Sequence, residues 1–126
     1  MPSVALEVEA TTTAAPLIRH LVTDFAARHG ATLELESRIA AAINEAVANV
    51  VAHAYPLGVG SLTCECDIED GTLEVVIADQ GQGIVLAGES PGLGMGLAII
   101  SELADGFRLW RGDEFGVSVW MRFDLA

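Results

Sequence analysis

The feature that most constrains this chain is a long alternation broken once. Leu62, Cys64, Cys66 and Ile68 share one parity, while Thr63, Glu65 and Asp67 share the other. Asp70-Gly71 then reads as a hairpin turn, after which Leu73, Val75 and Ile77 resume the apolar parity. Two neighbouring strands of this kind bury one face and leave the other wet, so the chain needs a second layer on one side only. Carried one step further, the same parity lands on Asp79. Folding alone does not call for a carboxylate on a core face, because burying it without partners is unfavourable.

The rest of the chain supplies that layer. Val4–Val8 alternates weakly and suits a first strand. Leu17, Leu21, Val22 and Phe25 fall at helical spacing within Pro16–Gly30, which stops at a glycine. A second, alanine-rich helix is expected from Glu36 to Ala54, with Ile39, Ile43, Val47 and Val50 on one stripe and an end forced before Pro56. Gly58 and Gly60 mark a turn, and Gly81–Gly96 reads as a glycine-punctuated loop. A third helix is expected from Leu97 to Ala104, then a hairpin of Phe107–Arg111 and Gly116–Asp124 turning at Gly112-Asp113. This order predicts one α+β domain over residues 1–126: a two-layer sandwich with a mixed, mostly antiparallel sheet and three main helices on one face.

Composition narrows the chemistry. The chain has 126 residues, 52% of them hydrophobic, and a formal net charge of −12; its mean hydropathy is +0.46. That apolar content argues for a folded globule despite the charge, and the charge argues against nucleic-acid backbones and anionic membranes as partners. No apolar run approaches a membrane span, and MPSVALEVEA lacks the basic start and apolar stretch of a signal peptide; a cytoplasmic location is the expectation. All six basic residues are Arg (19, 28, 38, 108, 111 and 122). Without lysine there is no Walker A loop, Schiff base or Ser–Lys hydrolase. Cys64 and Cys66 are expected as small apolar residues on one strand face, and His20, His29 and His53 form no ligand cluster.

Three elements carry chemistry. On the second helix Glu45, Asn49 and His53 recur at i, i+4 and i+8, nearly opposite the apolar stripe. They either form a solvated face or line a cavity, where the carboxylate could activate a hydroxyl and the carboxamide could hold a hard cation. Asp79-Gln80-Gly81-Gln82-Gly83-Ile84 follows a strand: a capped glycine turn, or a place where bare backbone approaches a flat ligand and Asp79 accepts from its amine. Pro91-Gly92-Leu93-Gly94-Met95-Gly96-Leu97 opens a helix and offers backbone N–H groups to phosphate. A dinucleotide fingerprint would follow a strand directly and open a βαβ unit, which this segment does not. Between Ile39 and Phe107 there are ten acidic residues and no Lys or Arg. Phosphates bound there would depend on backbone N–H groups, a helix N-terminus and a divalent cation.

Together these segments resemble the GHKL ATPase superfamily, the Bergerat fold, and within it the anti-sigma factor serine/threonine kinases of bacterial partner-switching systems. E-A-V-x-N-x-V-x-H-A-Y (45–55) is similar to the family's N box, D-x-G-x-G (79–83) to its first glycine box and G-x-G-M-G-L (92–97) to its second. The resemblance implies ATP and Mg²⁺ as cofactors. It makes Glu45 the general base, Asn49 the Mg²⁺ ligand and Asp79 the acceptor for the adenine amine. Gly81, Gly83 and Ile84 would shape the adenine pocket, and Gly92, Gly94, Gly96 and Leu97 would meet the phosphates; His53 is expected to pack below the pocket. The implied partners are a STAS-type anti-anti-sigma substrate and a sequestered sigma factor, with a homodimer possible.

Two departures from the family bear on function. Val85–Pro91 carries no basic residue near the phosphates, and Gly116-Val117-Ser118 stands where a Gly-Thr pair is common. A catalytically weak, ATP-dependent switch module is therefore the alternative to a kinase. The catalytic part of a two-component histidine kinase would need a phosphoacceptor on an early helix, for which His20 is the candidate.

Overall fold

The computed structural model describes residues 1–55, 60–81, 93–112 and 116–125. Along the chain these form β1 (Ser3–Glu9), α1 (Ala14–Arg28), α2 (Leu33–His53), β2 (Ser61–Glu69), β3 (Thr72–Asp79), α3 (Leu93–Leu103), β4 (Gly106–Arg111) and β5 (Val117–Asp124). The strands make one sheet in the order β1-β2-β3-β5-β4. Every pairing among the described residues is antiparallel, where a mixed, mostly antiparallel sheet was expected: α3 carries the chain past β5's place to the edge strand β4, and β5 returns between.

The alternation behaves as anticipated. Leu62, Cys64, Cys66 and Ile68 on β2, and Leu73, Val75 and Ile77 on β3, are buried, while intervening residues stay half-buried or exposed. Asp70 and Gly71 both have positive φ, 52° and 74°, the mirror-image turn whose twist suits an antiparallel hairpin. The helices cover the apolar face through Ile18, Val22 and Phe25 of α1, Ile39, Ile43 and Val47 of α2, and Ile100 of α3. Cys64 and Cys66 are buried with Sγ atoms 3.7 Å apart. Their mutual hydrogen bond and their burial push the Cys66 thiol up from its ordinary value.

Helix starts are where the sequence reading falls short. Thr32 caps α2, its Oγ1 accepting from the Leu35 N–H at 3.1 Å with Glu34 and Glu36 in the first turn, so the helix begins before the expected Glu36. α1 starts at Ala14, with Pro16 in its first turn, where the missing N–H is tolerated. α3 begins at Leu93 rather than Leu97, so Gly94 and Gly96 belong to a helix and not to the preceding loop. Glycine's poor helix propensity concealed this start. At its other end, Arg38 donates from Nε and Nη2 to the Leu103 carbonyl at 3.1 and 2.8 Å and reaches Asp105 at 3.3 Å. That fork closes the C-terminus of a helix with no basic residue in its own last turn.

Candidate functional site

Buried residues on both sides of α2's polar stripe set its direction. Asn49 is 7% exposed and its Nδ2 has no hydrogen-bond partner; Glu45, one turn earlier, is half-buried. The neighbour across the gap is α3. A Cβ added at Gly96 would stand 3.3 Å from both Glu45 Oε2 and Asn49 Oδ1. The first turn of α3 thus faces the carboxylate and the carboxamide directly, and the solvated-face reading of this stripe does not hold for Asn49. His53 is half-buried in α2's last turn.

Asp79 arrives on the core face at the end of β3 and is 2% exposed. Its Oδ1 accepts from the Gly81 N–H at 3.0 Å, while Oδ2 lacks a partner. Burial raises the pKa of this carboxyl above the ordinary carboxylate value, opposed by the nearby Gly81 and Val117 backbone amides. Three neighbours hold it there. Gly81 runs so close to the end of α2 that a Cβ would collide with the Ala54 carbonyl, and one at Gly116 (φ +83°) would collide with the Asp79 carbonyl; the Gly116 N–H donates to Gly81 O at 3.0 Å. Tyr55, just past α2, donates from its hydroxyl to Ser61 O at 2.6 Å and accepts from the Gln80 N–H at 2.9 Å.

Sequence reasoning gave no task to Tyr55 or to the backbone of Gly116. Both couple segments far apart in sequence, and the hint available was only that the helix ends in a tyrosine followed by Pro56. Ser118 pairs with Ala78 on the opposite sheet face, which places it out of register for the site. Gly94 lies in α3, and Leu97 packs against the core cluster. Gly83, Ile84, Gly92, Val85–Pro91, Gly58 and Asp113 lie outside the described residues.

The arrangement is a strip along α2. Glu45 and Asn49 face α3 at one end and Asp79 stands near Ala54 at the other, nine residues or about 13 Å of helix apart. It holds two unpaired buried polar atoms: a donor, Asn49 Nδ2, and an acceptor, Asp79 Oδ2. Buried polar groups are almost always satisfied, so each marks a place where a ligand group fits. The chemistry suits an elongated molecule with an amine at one end and oxygen acceptors at the other. Asn49 and Glu45 also offer hard oxygen donors that fit a magnesium ion. Among the described residues no group of three or more His, Cys, Asp or Glu could hold a metal, so such an ion would take its remaining ligands from the bound molecule. A groove of about 680 Å³ between α1 and α2, lined by Arg19, His20 and Glu36 among others, shares no residue with this strip.

Comparison with known proteins gives the family and the fold. A family model described as a histidine kinase-like ATPase domain matches residues 8–123. An anti-sigma F factor of Caldanaerobacter subterraneus subsp. tengcongensis is 36% identical over 66 residues, 52% of this chain and 46% of that protein. One from a Thermoanaerobacter species is 33% identical over the same shares. The chain spans about half the length of these curated relatives. Among solved structures, that of the RsbU and RsbW domains of Rv1364c from Mycobacterium tuberculosis superposes with a TM-score of 0.79 at 25% identity, covering 99% of this chain and 33% of that one. The Acinetobacter baumannii histidine kinase AdeS shares the fold at a TM-score of 0.56 and 12% identity, over 95% of this chain and 68% of that one. No helix among the described residues is long and apolar enough to cross a membrane.

Proposed function

Because the chain belongs to the histidine kinase-like ATPase domain family, we propose that it binds ATP with Mg²⁺ along α2 and phosphorylates a serine or threonine of a STAS-type anti-anti-sigma protein. In this reading it also sequesters a sigma factor in the bacterial cytoplasm and so regulates transcription. The observation that carries the proposal is the pair of unpaired buried atoms, Asn49 Nδ2 and Asp79 Oδ2, at opposite ends of one strip. Asp79 accepts from the adenine amine, with the bare backbone at Gly81, Gly83 and Ile84 against the ring. Gly94 and Gly96 in the first turn of α3, with Gly92 before it in the sequence, offer N–H groups to the phosphates, where glycine leaves room. Leu97, next along, keeps that first turn seated on the core.

Asn49 and the phosphates would hold the magnesium ion, which supplies charge neutralisation for phosphoryl transfer. Glu45 takes the proton of the attacking hydroxyl as its oxygen bonds to the terminal phosphorus and ADP leaves. One observation favours a slow enzyme that works chiefly as an ATP-gated binding module. No Lys or Arg lies between Ile39 and Phe107, and Arg38 is committed to the far end of α3. Without a basic side chain beside the terminal phosphate, the transition state loses more than the ground state does.

Incubation with Mg-ATP and STAS-type proteins tests the assignment. Serine or threonine labelling that Glu45→Ala abolishes while nucleotide binding survives is the expected result. Nucleotide-dependent partner capture without a phosphoprotein identifies the switch instead, and normal phosphorylation by Glu45→Ala refutes the base.

A further inference from the structure

Three segments distant in the chain converge on one hydroxyl. Tyr55 follows the last turn of α2, and its ring lies against Gly60, where an added Cβ would overlap it. The hydroxyl donates to the Ser61 carbonyl at 2.6 Å, at the start of β2, and accepts from the Gln80 N–H at 2.9 Å, just past the end of β3. The Gly60 carbonyl in turn accepts from the Ala10 N–H at 2.9 Å, so the segment that Tyr55 grips is itself anchored to the end of β1.

Gln80 stands where the sheet lets go of the chain. The registers of β3 with β2 and with β5 both end at Asp79, which pairs with Leu62 and Val117. Beyond it the backbone is held by contacts from other segments: the Gln80 N–H on the Tyr55 hydroxyl, and the Gly81 carbonyl under the Gly116 N–H at 3.0 Å. The Gly81 N–H donates to Asp79 Oδ1 at 3.0 Å and leaves Oδ2 without a partner. The direction of that N–H therefore sets the rotation of the carboxyl. Glycine resists backbone rotation less than any other residue, so the peptide joining Gln80 to Gly81 depends on the contact from Tyr55.

We propose that Tyr55 is a positioning residue for base recognition: through Gln80 and Gly81 its hydroxyl keeps Asp79 Oδ2 aimed at the amine of the adenine ring. The inference rests on the proposed nucleotide reading, in which Asp79 accepts from that amine. Tyr55 acts through the backbone and not on the ligand. Without the hydroxyl the Gln80 N–H loses this acceptor, the peptide beyond it is freer to turn, and the carboxyl is no longer held in one rotation. Binding adenine then has to order it, and ordering one side chain changes affinity by roughly three- to tenfold. The loss falls on ligands that use the Asp79 acceptor and spares those that do not.

Calorimetric titration of the full chain with Mg-ATP and with Mg-inosine triphosphate tests this. Inosine carries a carbonyl oxygen where adenine carries the amine, so Asp79 would face an acceptor and the wild type should favour ATP. In Tyr55→Phe, ATP affinity should fall by roughly three- to tenfold while inosine triphosphate affinity stays within about twofold, which narrows the ratio. Phenylalanine keeps the ring beside Gly60, and thermal melts establish that the variant is folded. Arg38→Ala, which frees the Leu103 carbonyl at the far end of α3, is a destabilised control whose ratio should match the wild type. A wild type that binds the two nucleotides equally refutes the placement of Asp79 at the base, and this inference with it. A wild type that favours ATP, joined to a Tyr55→Phe that keeps the full ratio, overturns the role of Tyr55 alone. So does a ratio narrowed as much by Arg38→Ala, because the effect then follows stability and not the hydroxyl.

Discussion

Gly96→Ala separates folding from ligand binding by sign. Gly96 is the fourth residue of α3, where alanine is worth up to about 1 kcal/mol more than glycine in helix propensity. The added methyl would sit 3.3 Å from Glu45 Oε2 and Asn49 Oδ1 and 3.6 Å from Asn49 Nδ2. Those contacts are tight but met by small side-chain shifts, so the apo protein should keep its stability or gain, at most by roughly 3–5 °C in Tm for a chain of this size. Under the proposed function the same methyl would fill the gap that the phosphates need. Mg-ATP affinity, measured by isothermal titration calorimetry, should fall by at least about tenfold, equivalent to ~1.4 kcal/mol, and the Tm gain on adding Mg-ATP should shrink with it. A Gly96→Ala protein that binds Mg-ATP as tightly as the wild type refutes the view that phosphates lie between α3 and α2.

Other substitutions probe the opposite end of the strip. Tyr55→Phe removes the hydroxyl that ties Ser61 to Gln80; it should lower stability by about 1 kcal/mol and speed hydrogen exchange at the Gln80 amide. Asp79 has a folded pKa raised above its ordinary 3.8, so between those two values the folded state holds its proton more tightly than the unfolded one. Wild-type stability relative to Asp79→Asn should therefore rise as pH falls through that window, and denaturant midpoints at matched pH measure it. ATP binding should weaken over the same window as the acceptor is protonated. Arg38→Ala frees the Leu103 carbonyl and should destabilise the protein by roughly 1 kcal/mol, with Arg38→Lys recovering less than half because the fork is lost.

Much of this architecture is written in period-two and period-3.6 patterning. The β2–β3 hairpin, its turn and the arrival of Asp79 on the core face all follow from parity, because a strand has only two faces. The polar stripe of α2 was ambiguous for a physical reason: Glu45, Asn49 and His53 at i, i+4 and i+8 look the same whether water or protein lies opposite. The answer came from Gly96, far along the chain, in a helix turn disguised by glycines. Tyr55, Gly81 and Gly116 lock the Asp79 end of the strip through close contacts to backbone among three distant segments. Local sequence encodes no such contact, and glycine's role there is visible only once Ala54 and Asp79 are seen pressed against it.

The most direct test follows backbone and side-chain amide resonances during titration with Mg-ADP. The account predicts saturable shifts in the Asn49 side-chain amide and in the Gly96 and Gly81 backbone amides, all lost on removal of Mg²⁺ or in Asp79→Ala. Shifts confined to the α1–α2 groove around Arg19 and His20, or no saturable binding at millimolar nucleotide, a level at which ~4 kcal/mol of affinity would register, would contradict it.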